Sequence, residues 1–183
     1  MKTKIKSQLL DKPALAETIS RIAKQILDKN PDISNMIVIG MRTRGAHIAQ
    51  RIAEIIFKAR GEQSQLGFLD VTFYRDDFRI RMKQPNVQVT DIPFSINEKD
   101  IILVDDVLYT GRTIRAALDA LTDFGRPSSI QLAVLVDRGH REMPIQPNFT
   151  GTIFKTLQKE EIQVRVKEED SEDGVYLVEL IED

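Results

Sequence analysis

The chain has no cysteine in its 183 residues. That excludes disulfide staples, thiolate zinc sites and cysteine catalysis. Histidine is nearly as scarce, with two in the chain, and His140 has no second ligand at metal spacing, so a histidine-held zinc is not expected. Long apolar runs are missing too. Ile101-Ile102-Leu103-Val104 is among the longest, far short of the roughly 20 residues that a bilayer-spanning helix needs. The amino-terminal Met1-Lys2-Thr3-Lys4-Ile5-Lys6 is basic but carries no apolar stretch of the signal-peptide kind, so a cytoplasmic protein without membrane contact is expected. Charge of one sign does not dominate. The formal net charge of −2 argues against a generic nucleic-acid binder, while a local basic face stays open.

What is present is a globular balance. Apolar residues make up 42% and charged residues 30%, enough to bury the core of one domain over residues 1–183. Ala14, Leu15, Ile19, Ile22, Ala23, Ile26 and Leu27 recur at helical spacing and predict a helix over 14–29. Residues 35–40 contain Met-Ile-Val-Ile before a glycine, the pattern of a strand covered on both faces. Helical spacing returns over 45–58, and residues 66–74 read as a strand. Residues 75–97 are polar with no clear period, a length of connection that is usually functional. A second buried strand at 101–104, a helix over 114–124 ending at Gly125, and a third buried strand at 130–136 follow. Alternating strands and helices of this kind predict an α/β fold with a central parallel sheet flanked by helices. After Asp137 the pattern breaks into short strand-like pieces at 163–166 and 175–181, read as a small cap on the main sheet, so that this subdomain lies mainly within 137–183.

Two strand-to-helix turns carry the chemical signal. In the first, Ile101-Ile102-Leu103-Val104 runs into Asp105-Asp106, and Thr110-Gly111-Arg112-Thr113 then opens a helix. Ligands of open α/β sheets sit outside the carboxyl ends of the strands. A helix start offers unpaired N–H groups and the positive end of a dipole, glycine permits close approach, and threonine hydroxyls add donors. This is a phosphate cradle but not a Walker loop, because no Gly-Lys-Ser/Thr follows. Adjacent carboxylates just before it can accept hydrogen bonds from a vicinal diol. Together they describe a seat for a ribose 5-phosphate. An isolated Asp-Asp pair more often just ends a strand; the full order of strand, acids, Thr-Gly-X-Thr and helix is what favours the functional reading. The second turn, Arg42-Thr43-Arg44-Gly45, suits another anion such as pyrophosphate. Arg75-Asp76-Asp77, in the long connection, is a candidate for closing over a ligand, although a charged loop tip is as often merely solvated.

With these residues on view, the chain resembles the bifunctional pyrimidine operon attenuator / uracil phosphoribosyltransferase family. The likeness runs from about Leu10 to Gly151. It is carried by Arg42-Thr43-Arg44-Gly45, Tyr74-Arg75-Asp76-Asp77, the segment Ile102 to Thr113 with Val107-Leu108-Tyr109 inside it, and Gly125 to Glu142, which ends in Asp137-Arg138-Gly139-His140-Arg141-Glu142. The resemblance implies a type I phosphoribosyltransferase fold, with about five parallel strands and a small hood over the base. It implies uracil and magnesium-bound 5-phosphoribosyl-1-pyrophosphate (PRPP) as substrates, giving UMP and pyrophosphate. It also implies uridine-nucleotide-dependent binding to the leader mRNA of the pyrimidine operon, and self-association as a homodimer or higher homo-oligomer.

On this reading Asp105 and Asp106 hold the ribose, Tyr109 to Thr113 the 5-phosphate, and Arg42 to Gly45 the pyrophosphate. Magnesium is held mainly through PRPP oxygens and water. The base falls to Val136, Asp137, Arg138, Phe149 and Thr150. Tyr109 stands where purine-salvage relatives often carry an aspartate, which argues against a purine; a packing role for Tyr109 is an equal alternative. His140 is read as structural or RNA-facing. Arg21, Lys24, Lys29 and Arg141 match basic positions of the family's RNA face, whereas Gln146 and Thr152 stand where arginine and lysine are found in other members. Two readings compete with the enzyme: a regulator that keeps the pocket as a nucleotide sensor, and a salvage enzyme for another base.

Overall fold

The computed structural model describes residues 2–74 and 89–181. Five parallel strands form the main sheet: β2 (Met36–Met41), β3 (Gln65–Leu69), β4 (Asp100–Leu108), β5 (Ser129–Asp137) and β6 (Phe149–Ile153), in the order β3-β2-β4-β5-β6. The central strands are the apolar runs of the sequence. Ile37, Val38, Ile39 and Ile101 to Val104 are fully buried because helices cover both faces. Helices α1 (Lys12–Lys29) and α2 (Arg44–Arg60) share one core cluster with Val38, Ile102 and Val104. Helix α3 (Arg112–Phe124) packs on the opposite face against Ile37, Ile39 and Leu103.

Local chemistry sets the helix ends. The Asp11 carboxylate accepts the Ala14 N–H at 3.0 Å, and Pro13 sits in the first turn of α1, so the helix starts two residues before its apolar stripe. Helix α2 stops at Gly61, whose φ of 73° suits a left-handed cap. The strand expected over 66–74 ends at Leu69. Asp70 takes the Thr72 N–H at 2.7 Å and also its hydroxyl, turning Thr72–Tyr74 into a single 3-10 turn.

A second sheet has the order β1-β8-β7, with β1 (Lys2–Leu10), β7 (Glu160–Arg165) and β8 (Gly174–Ile181) all antiparallel. A short acidic helix α4 (Lys167–Asp170) joins β7 to β8. Val164, Val166 and Val175 of this unit belong to the same cluster as α1 and α2, so the small sheet is seated on the main core. Two strands are not expected from the sequence. β1 brings the amino-terminal segment into the small sheet, and β6 puts residues 149–153 into the main sheet. Among the described residues no helix is long and apolar enough to cross a membrane.

Candidate active site

The chain turns from β2 through α2 to β3 on one side, and from β4 through α3 to β5 on the other. Neighbouring β2 and β4 therefore form the point where strand order reverses, and a crevice opens outside their carboxyl ends. Both motif turns lie there. Gly45 makes the contact between them: a Cβ at this position would lie 2.9 Å from the Val104 carbonyl oxygen, 3.1 Å from the Asp105 Cα and 3.4 Å from the Asp105 Oδ1. Only glycine lets the second turn rest on the end of β4.

β4 continues past the two acids to Leu108 rather than stopping at Val104. Asp105 is buried, and its Oδ1 accepts the Asp106 N–H at 2.9 Å; Asp106 in turn accepts the Val107 N–H at 2.9 Å. Each carboxylate is thus steadied by one oxygen. Beyond them, Gly111 has φ 90° at the N-cap of α3, and a side chain there would press Met143 Cβ at 3.1 Å. The Thr110 hydroxyl accepts the Arg112 N–H at 3.3 Å, while its carbonyl accepts the Glu142 and Met143 N–H groups at 2.9 and 3.0 Å. The Arg112 guanidinium pairs with Glu142. The segment after β5 is thereby laced to the cradle, and Thr113 lies in the first turn of α3.

In the second turn, Arg42 donates its N–H to the Leu69 carbonyl at 2.9 Å and stacks 4.9 Å from the Phe68 ring. The Arg42–Thr43 peptide is cis. Arg44 opens α2 and makes a two-point pair with Asp170 of α4, Nε to Oδ2 at 3.0 Å and Nη2 to Oδ1 at 2.6 Å. Those bonds raise the Arg44 pKa above its ordinary value; burial opposes the rise and the Asp170 and Asp106 charges support it.

Tyr109 is half-exposed, with the Arg138 guanidinium 3.9 Å from its ring centroid and the His140 ring edge-on at 5.7 Å. Arg138 is buried and donates to the Thr156 hydroxyl at 3.2 Å and to the Glu160 carbonyl. His140 places Nε2 2.7 Å from the Thr156 carbonyl. Arg141 binds Asp137 at 2.6 Å and the Tyr109 and Ile145 carbonyls at 2.7 and 2.9 Å. It knits the ends of β4 and β5 together.

Not every expected residue reaches the crevice. Val136 and Phe149 belong to the core cluster under α1 and α2. Phe149 faces Ala133 at the start of β6, whereas Thr150 lines one cavity with Ile153, which faces Asp137 at the carboxyl edge. The register thus brings Ile153, exposed at 65%, beside Thr150 and in place of the buried Phe149. A cavity of about 310 Å³ opens at this edge, with Asp137, Arg141, Ile153 and Lys155 in its lining. The expected basic face also divides. Lys24 is exposed and Lys29 lies 5.5 Å from the Phe149 ring, while Arg21 donates to the Gly151 carbonyl. Arg75, Asp76 and Asp77 lie outside the described residues. Asp170 and Ile153 escape a reading of the sequence, because strand register and a contact spanning 126 positions bring them to the site.

No group of three or more histidine, aspartate or glutamate side chains among the described residues is placed to hold a metal ion. The donors at hand are the adjacent pair Asp105 and Asp106. Such a set fits a hard cation bound chiefly by substrate oxygens and water, rather than one held in a cage of protein carboxylates.

Comparisons agree with this geometry. Residues 6–169 match the phosphoribosyl transferase domain family. The chain is 46% identical over 177 residues to the "Bifunctional protein PyrR" of Pelotomaculum thermopropionicum, covering 97% of this chain and 98% of that one. It is 48% identical over 174 residues to the protein of the same name from Bacillus mycoides, covering 94% and 97%. Among solved structures, the hypoxanthine phosphoribosyltransferase of Trypanosoma cruzi superposes with TM-score 0.72 at 14% identity, covering 96% and 97% of the two chains. The HGPRT-ase of Leishmania tarentolae, solved with GMP, gives 0.71 at 13%, covering 94% and 96%. At such identity these structures speak for the fold alone. A Thr-Gly-Arg-Thr turn and an arginine-bearing turn meeting at the switch point of a parallel sheet, in a chain nearly half identical to these relatives over almost its whole length, lead to one assignment: the chain belongs to the phosphoribosyltransferase family, among the bifunctional PyrR proteins.

Proposed function

We propose that the protein is a cytoplasmic uracil phosphoribosyltransferase, converting uracil and PRPP to UMP and pyrophosphate, and that it also binds pyrimidine operon leader mRNA in response to uridine nucleotides. The observation that carries the enzyme reading is the contact of Gly45 with Asp105, which sets an anion turn and a ribose 5-phosphate cradle side by side. The PyrR relationship supports the pairing of the two activities.

In this reading the bond from ribose C1 to the pyrophosphate oxygen breaks, the bond from C1 to the pyrimidine N1 forms, and the N1 proton is lost. The protein need not supply a nucleophile; positioning and charge stabilisation carry the step. Asp105 and Asp106, each holding a backbone N–H with one oxygen, present their carboxylates to the ribose hydroxyls. The backbone of Tyr109 to Thr113 and both threonine hydroxyls hold the 5-phosphate at the start of α3. Arg42 to Gly45 face the leaving pyrophosphate. Asp105 and Asp106 are the carboxylates that would lie beside a magnesium ion held mainly through PRPP oxygens and water, which would supply neutralisation of charge on the leaving group.

The base is read at the carboxyl ends of β5 and β6, by Asp137, Arg138 and Ile153. Tyr109 at the mouth offers no carboxylate to protonate a purine ring nitrogen. Arg21, Lys24 and Lys29 are exposed cations of α1 suited to RNA phosphates, Arg21 being tied to the Gly151 carbonyl, and a homodimer would double that face. The deciding assay presents purified protein with PRPP, magnesium and a panel of bases. Uracil should be consumed far faster than hypoxanthine or guanine, and equal or faster use of a purine would overturn the base assignment.

A further inference from the structure

We infer that Asp170, in the small sheet's acidic helix, is a positioning residue that sets the Arg44 guanidinium for the pyrophosphate end of the substrate. The inference rests on the proposed pyrophosphate role of the Arg42–Gly45 turn and assigns that turn a partner from the other end of the chain.

Three observations carry it. First, the pair is two-point: Nε and Nη2 of Arg44 bind the two oxygens of Asp170 at 3.0 and 2.6 Å. A guanidinium has five N–H groups in a rigid fork. Engaging one edge fixes the orientation of the rest and leaves three N–H groups for an anion. Second, Asp170 is itself held. Its Oδ2 also accepts the Val166 N–H at 2.9 Å, closing the turn of α4 back onto the end of β7. Third, α4 and the residues just after it are moored to α2 one and two turns further along. Arg51 binds Glu168 at 2.7 Å and Asp173 at 2.7 Å, and His47 lies 2.8 Å from Glu169. Residues 44, 47 and 51 lie on one face of α2 at helical spacing, so the small sheet grips the helix that begins at the anion turn.

A mere latch would need only the outer pairs of Arg51, which are far along α2 from the turn. Arg44 differs because it starts the helix, next to Gly45 resting on Asp105, and the Asp106 charge acts on it. Asp170 therefore lies between the hood and the reacting end of the site. Removing its charge would free the Arg44 fork to rotate away, with the turn and its backbone still in place.

The test compares two ligands that differ in the pyrophosphate. PRPP with magnesium presents one at C1, whereas UMP has a base there and shares the ribose and 5-phosphate. Calorimetric titration of Asp170→Asn should show PRPP binding weakened about 5- to 20-fold, a range typical of removing one oriented charge-assisted hydrogen bond, with UMP affinity within about twofold of wild type. Steady-state kinetics should show KM for PRPP raised by a similar factor and kcat reduced less. Asp170→Glu should recover part of the loss. Glu168→Gln, which removes one of the two carboxylate partners of Arg51 instead, should lower the melting temperature and leave PRPP affinity as in wild type. Equal weakening of PRPP and UMP in Asp170→Asn would reduce Asp170 to a structural strut and overturn the inference. Unchanged or tighter PRPP binding would overturn it as well, the latter by showing that Asp170 competes with the pyrophosphate for Arg44. A wild-type protein that binds UMP but not PRPP would defeat the pyrophosphate reading itself, an outcome distinct from all of these.

Discussion

The guanidinium of Arg138 lies 3.9 Å from the centroid of the Tyr109 ring. Burial draws the Arg138 pKa below its ordinary value, while the nearby Tyr109, Glu161 and Glu160 pull the other way. The cation is retained because its donors are used, on the Thr156 hydroxyl and the Glu160 carbonyl, and because an aromatic face covers it. Arg138→Met keeps the apolar stem and loses the donors. It should destabilise the protein by about 1–3 kcal/mol, since buried acceptors are left unpaired, and raise the KM for uracil. Urea denaturation beside uracil saturation curves measures both. A stable variant with unaltered uracil kinetics would remove Arg138 from the base site.

Asp105→Asn combined with Asp106→Asn preserves shape while removing both negative charges. Each amide oxygen can still accept the backbone N–H that its carboxylate accepts now. Nucleotide formation should fall at least about 100-fold, as is typical when charge stabilisation of a developing cation is removed, with the circular dichroism spectrum intact. Appreciable UMP synthesis by the double variant would contradict the ribose assignment.

Gly45→Ala and Gly61→Ala separate space from conformation. The Gly45 Cβ would meet the Val104 carbonyl oxygen at 2.9 Å and the Asp105 Cα at 3.1 Å, both backbone atoms that cannot swing aside. Lifting the turn off β4 should cost about 1–3 kcal/mol and most of the PRPP affinity. Gly61 has φ 73° and no atom within 4 Å of its added carbon. Its alanine variant should lose about 1–2 kcal/mol from left-handed strain and keep full activity. Chemical denaturation with parallel PRPP titration would tell the two apart, and a fully active Gly45→Ala enzyme would show that the turn need not rest on Asp105.

Acid should loosen the grip of α4. The bonds from Arg44, followed by the Val166 N–H and the Arg44 charge, hold the Asp170 carboxyl below its ordinary value against the opposing effect of burial. A group with a depressed native pKa contributes fully above its unfolded-state pKa, near 4 for aspartate. That contribution disappears as pH falls through the lower native value. Glu168, lowered first by its bond from Arg51, behaves in the same direction. Unfolding midpoints should therefore drop steeply below about pH 4, and more shallowly in Asp170→Asn. Superimposable acid profiles would mean that the pair adds no net stability.

The RNA face can be tested without disturbing catalysis, provided that Arg141 is left alone. Its bonds to Asp137 and to the Tyr109 carbonyl brace the substrate crevice, so Arg141→Glu should impair turnover as well as any RNA binding. Lys24→Glu with Lys29→Glu changes two exposed positions on α1. Leader RNA affinity should fall, and its salt dependence should flatten by about one unit of log–log slope for each RNA phosphate no longer neutralised. Uracil turnover should stay at the wild-type level. Undiminished RNA binding in a gel-shift titration would place the face elsewhere.

Strands buried on both sides are legible in the sequence, because they leave unbroken apolar runs. Ile101 to Val104 and Leu132 to Val136 announce strands whatever their neighbours are. β1 is not legible. Thr3 to Gln8 are exposed on both faces of the strand, and register shifts between Ile5 and Ser7 and between Gln8 and Leu10 break the two-residue alternation. β6 is five residues of an edge strand, and its central Gly151 is pressed by the Leu135 carbonyl and the Thr18 methyl, leaving little apolar pattern to read. The site divides along the same line. The cradle and the anion turn are contiguous segments with their own chemistry. The Arg44–Asp170 pair and the Ile153–Asp137 register arise only when distant segments meet.

The pairing of β1 with β8 sets a schedule for the molecule. During synthesis every strand of the large sheet leaves the ribosome before β8 does, and Lys4 must wait for Glu179 to find its partner. Joining ends so far apart adds little entropic penalty beyond that of a shorter loop, so the delay is one of supply rather than of free energy. Until β8 arrives, α4 has no sheet behind it and Arg44 no settled carboxylate. A chain that has already built the turn at Gly111 but not yet β8 thus lacks the sheet that backs α4, and the Arg44–Asp170 pair waits on that sheet.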